Sequence, residues 1–166
     1  MTTALLTICG MLLIAAGGLK VVIPGPATDA LAVAGLPSHP LLVRAGALAE
    51  LLLGAAALVW SDRTVAILVG LSFAAFAAFV ERLRRLPDAP SCGCFGGAGE
   101  VPSARHVVGN LLLAVGCLAA AATHAPSMVT LLRQHPSTGA VFVVATVTAA
   151  WLAGLVLRGG PGSELS

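Results

Sequence analysis

The run ALLTICGMLLIAAGGLKVVI, residues 4–23, decides how the rest of the chain is read. Its one charged residue is Lys20, and at ~1.5 Å per helical residue it is long enough to cross a hydrocarbon core of ~30 Å. Pro24-Gly25-Pro26 ends it, since proline cannot continue a helix from its interior. No Lys or Arg precedes Ile8, and the apolar stretch outruns a signal-peptide core, so it is read as a mature span. The whole chain is 58% hydrophobic and 10% charged over 166 residues, too little charge to cover a soluble domain. A formal charge of +2 without a basic cluster interleaved with aromatics gives no reason to expect nucleic acid.

Working outward, further apolar runs predict an all-α polytopic membrane bundle of about five transmembrane helices, lying in lipid. The second runs from about Leu42 to Trp60, with Trp60 placed for the water interface. The third runs from about Val65 to Leu83 and ends in Arg82, Arg84 and Arg85. The fourth covers about Ala104 to Thr123, with Ser103 as a helix cap. The fifth covers about Gly139 to Leu157. Asp29 to Pro40 reads as a connection carrying a short interfacial helix, and His124 to Ser137 as a polar connection. Residues 1–158 form one bundle with a cysteine loop at 87–103, and 159–166 form a disordered tail. Oligomeric state is not legible.

With about five spans the two ends of the chain lie on opposite sides. The side away from the amino terminus receives Lys20, Arg44, Arg82, Arg84, Arg85, Arg105 and Arg158, against Arg63 and Arg133 on the other. The positive-inside rule makes that richer side cytoplasmic. A disulfide in the 87–103 loop would then face a reducing compartment: either the dithiol works at the cytoplasmic face, or some of those arginines face the bundle as site residues and do not count.

That loop holds Ser91-Cys92-Gly93-Cys94-Phe95-Gly96-Gly97, the longest turn-rich interval in the chain. Gly93 lacks a Cβ, so the chain can bend until the two thiols meet. A Cys-x-Cys disulfide closes a small ring with little freedom to relax, and strained, accessible disulfides are the labile ones that exchange with partners. The pair therefore reads as a redox dithiol, with a structural staple or docking turn in a non-catalytic assembly subunit as the alternative. Cys92, Cys94 and His106 supply only three metal ligands, one short of a closed zinc site, and no metal is expected.

Charged and amide groups inside spans are costly and mark sites. Glu50 lies about eight residues into the second span, on a stripe with Gly46 and Gly54 that is suited to packing against a neighbouring helix. Lys20 is its expected partner, with snorkelling to the headgroups as the alternative. A small-molecule transporter working through Glu50 is a competing function. His106, Asn110, Leu113 and Cys117 share one face of the fourth span, and Arg105 and His106 follow the cysteine loop closely enough to promote its thiolates. Cys9, Leu13, Ala16 and Lys20 share a face of the first span. Cys9 and Cys117 fall at similar depth, as a candidate second thiol pair or as two buried hydrophobes.

Taken together, Gly17-Gly18-Leu19-Lys20 with Pro24, Ala49-Glu50-Leu51 with Gly54, and Cys92-Gly93-Cys94-Phe95-Gly96 ahead of Arg105, His106 and Asn110 resemble the methylamine-utilisation protein E (MauE) family, which is related to DoxX-type membrane proteins. The resemblance covers about Leu5 to Thr123. It implies a multi-pass protein of the inner (plasma) membrane and a thioredoxin-like, MauD-type partner. It also implies a role in disulfide formation in exported proteins, with methylamine dehydrogenase as the namesake client. On that basis Cys92 and Cys94 would exchange electrons as a thiol-disulfide oxidoreductase, Arg105 and His106 would tune them, and Lys20, Glu50 and Asn110 would form the polar floor. A quinone is a candidate electron acceptor, without a motif to mark it. Two positions depart from the family pattern: Gly109 stands where an arginine is usual, and Val21 follows Lys20 where leucine is expected.

Overall fold

The computed structural model describes residues 2–60, 62–86, 102–123, 128–134 and 143–148. Among them all regular structure is helical: α1 (Thr2–Val22), α2 (Gly25–Val33), α3 (Pro40–Val59), α4 (Arg63–Arg84), α5 (Ala104–Ala120) and α6 (Met128–Gln134). The helices α1, α3 and α4 are long and apolar enough to cross a membrane. With 17 residues, α5 is apolar but spans only about 25 Å. Of the fifth expected span, 143–148 is described and is helical.

Local chemistry sets the helix ends. Asp62 accepts a hydrogen bond from the Val65 amide at 2.8 Å and starts α4. His39 Nδ1 accepts from the Leu41 amide at 3.2 Å, and Pro40 occupies the first turn of α3, where its missing N–H is no loss. Gly35 takes a φ of 68° just beyond α2, a left-handed turn that glycine enters without strain. The segment read as a polar connection at 124–137 contains α6, an element too short to show periodicity.

Two antiparallel pairs build the bundle. Between α1 and α3 the backbones nearly touch: a Cβ placed on Gly17 would lie 2.6 Å from the Ala47 carbonyl oxygen, and one on Gly54 would lie 2.6 Å from the Gly10 oxygen. Small residues permit this approach, and in lipid such packing replaces the hydrophobic drive as the source of helix association. Gly46, expected on the same packing stripe, faces open space, since nothing lies within 4 Å of its would-be Cβ. In the second pair α4 lies against α5, with Gly70 receiving Leu118. The core where the pairs meet contains Leu6, Cys9, Leu13, Val69, Phe73, Ala114 and Cys117.

A second, smaller core places the short helix. Ala30 and Ala34 of the α2 region pack against Val80 and Leu83 of α4, with Val107 of α5 alongside. Hence α2 covers the end of the bundle where α1 and α4 finish and α3 and α5 begin. By chain connectivity, residues 85–103 join α4 to α5 at this same end.

Candidate functional site

Beneath α2, Lys20 of α1 meets Glu50 of α3. Lys20 Nζ donates to both oxygens of Glu50, at 2.7 and 2.8 Å, and lies 4.7 Å from the centre of the Phe76 ring. The side chains are 10% and 16% exposed, so Lys20 has turned into the bundle rather than out to the headgroups. Hydrogen bonding to both carboxylate oxygens and the cation's position over a ring face offset the desolvation of a pair held away from water.

The neighbouring wall comes from α5. His106 and Asn110, one helical turn apart, are both buried, whereas Arg105 is exposed. Asn110 Nδ2 donates to the His106 carbonyl at 2.8 Å. Lys20 and Asn110, with Phe73 and Phe76, line a small void of about 10 Å³, close to the least that admits one water. His106 Nδ1 accepts from the Ser103 amide at 3.2 Å and lies 2.9 Å from its hydroxyl, a reciprocal cap that starts α5. With Nδ1 accepting, the neutral ring carries its proton on Nε2. This capping duty was hidden in the sequence, because capping boxes ordinarily take Glu or Gln where His106 stands.

Lys20, Glu50 and Asn110 are therefore assembled at one end, with His106 one turn from Asn110. Arg105 is exposed and lines neither cavity beside the pair. Cys92 and Cys94 lie outside the described residues, and so does any metal set that would use them. Among the described residues no three His, Cys, Asp or Glu side chains gather as metal ligands. Phe76, which the sequence reading passed over, is the missed member: a phenylalanine in an apolar helix carries no signal of its own.

Deeper in the core, Cys9 and Cys117 are free thiols with no solvent exposure, and their side chains interact. In a Cys92→Ser/Cys94→Ser background neither should react with a maleimide until the bundle unfolds, after which both should. Labelling counted by mass spectrometry checks this, and equally fast labelling of folded and unfolded protein would contradict the packing.

Fold and site together define a polytopic α-helical membrane protein with an internal ion pair near one end of its bundle. The family described as "Methylamine utilisation protein MauE" matches residues 1–123. The chain belongs to that family. Comparison with curated proteins and with solved structures finds no match.

Proposed function

We propose that this MauE-type membrane protein is a thiol-disulfide exchange protein of the plasma membrane, working through Cys92 and Cys94 with a thioredoxin-like partner to support disulfide formation in exported proteins. The observation that carries this reading is the position of the buried polar group: Lys20, Glu50 and Asn110 lie at the end of the bundle where the connection bearing both cysteines leaves α4 and enters α5.

In the exchange, a thiolate of one partner attacks a sulfur of the other's disulfide. The mixed disulfide forms as the first S–S bond breaks, and the remaining cysteine resolves it. Two electrons and two protons pass overall, so one dithiol is oxidised as one disulfide is reduced. His106, buried at the start of α5, offers an imidazole base, and Arg105, exposed beside it, a positive charge at that end.

The test is trapping. Cys94→Ser should leave Cys92 unable to be resolved and accumulate a mixed disulfide with a thioredoxin-like protein, visible as a reductant-sensitive band that Cys92→Ser/Cys94→Ser lacks. Absence of any such adduct in cells that contain the partner would overturn the redox reading. Labelling intact cells with an impermeant thiol reagent determines which face presents the pair.

A further inference from the structure

Beside the ion pair, a cleft of about 270 Å³ opens between α3 and α4 under α2. Its floor is Lys20 and Glu50, its aromatic wall is Phe76 and Phe79, and the open space at Gly46 lies within it. Leu42, which is 56% exposed, stands at the rim, so the way in is from the apolar outer surface of the bundle. We propose that this cleft binds the head group of a lipid-soluble quinone, which accepts the electrons released when the cysteine pair closes; this rests on the redox reading above.

Three features select that chemistry. An entrance among aliphatic side chains admits a membrane-dissolved molecule and disfavours a charged solute. The volume lies just below the roughly 300 Å³ at which drug-sized pockets begin, which suits one or two fused rings with a tail left outside. The floor offers both polar roles: Lys20 can donate to a quinone carbonyl, and Glu50, whose oxygens can accept more than the two bonds from Lys20, can accept from a quinol hydroxyl. An acyl chain would use neither group, whereas a quinone uses one in each oxidation state.

The reaction balances. The thiols of Cys92 and Cys94 lose two electrons and two protons as their S–S bond forms. The quinone takes up both and becomes the quinol. The fresh disulfide is then available to oxidise a partner's dithiol.

Binding is read directly on the purified full chain in detergent, by calorimetric titration with menadione and with decylubiquinone, a naphthoquinone and a benzoquinone. At least one should bind saturably. Gly46→Leu, at a position where an added Cβ has nothing within 4 Å, projects from α3 into the cleft and should weaken binding about ten-fold or more. Leu112→Phe, on the exposed face of α5, should leave it unchanged. Should Gly46→Leu lose its thermal transition, Ala27→Phe fills the same space from α2 and takes its place. No saturable binding of either quinone, or unaltered affinity in a folded cleft-filled variant, overturns the proposal. If the mixed disulfide is still trapped in that case, the quinone site falls and the redox reading stands. Quinone binding without a trapped adduct supports the site and counts against the redox reading.

Discussion

Lys20→Met is expected to cost the folded bundle about 3–5 kcal/mol, the usual penalty for removing one partner of a buried ion pair. The cause is what remains. Glu50 sits in an apolar span with its side chain 16% exposed, and both of its oxygens are bonded to Lys20. Without the ammonium group, the carboxylate loses its counter-charge and both of its hydrogen bonds to Lys20 while remaining in an apolar span. Lys20→Met/Glu50→Met removes the liability along with the attraction, and should recover most of the loss, because apolar replacement of a whole buried pair is often neutral. Thermal unfolding of the parent, Lys20→Met, Glu50→Met and the double variant in one detergent completes the double-mutant cycle. A Lys20→Met protein as stable as its parent would mean that the pair does not hold the site together.

Gly17→Leu should also be strongly destabilising, by a different route. Even the first carbon of the new side chain would meet the Ala47 carbonyl oxygen at 2.6 Å, the Leu51 amide nitrogen at 3.0 Å and the Glu50 Cβ at 3.2 Å. Two of these neighbours are helix backbone and cannot swing aside. α1 and α3 would have to separate, which also pulls Lys20 from Glu50, so the cost should meet or exceed the 1–3 kcal/mol typical of overpacking. Gly18→Ala, at the adjacent position with nothing within 4 Å, is the matched control. It should be neutral, or stabilising by up to about 1 kcal/mol through the gain in helix propensity. Equal stability for Gly17→Leu and Gly18→Ala would contradict the close approach of the two helices.

The long apolar helices and the Lys20–Glu50 pairing were legible in the sequence for one reason: in lipid a single charge stands out against its surroundings. The shared face of Cys9, Leu13, Ala16 and Lys20 followed from helical spacing and is buried throughout. Other features depend on where elements dock, which spacing does not encode. Spacing assigns Gly46 and Gly54 to one packing stripe, yet Gly54 abuts α1 whereas Gly46 opens on the cleft. Likewise, Phe76 differs from other apolar residues of α4 only because the ammonium group of Lys20 lies over its ring. His106 was read for its proton chemistry, and its capping of α5 became visible only with its ring nitrogen beside Ser103.

The ion pair also bears on how the chain is made. Lys20 and Glu50 are 30 positions apart, so during synthesis the cation emerges well before the anion that will neutralise it. Entering the bilayer alone, α1 would carry an uncompensated charge; entering as a hairpin with α3, the two helices would bring no net charge from this pair into the hydrocarbon. Insertion of the first two long helices as a unit, with α1 held at the membrane surface until α3 is complete, is the biogenesis route this geometry favours.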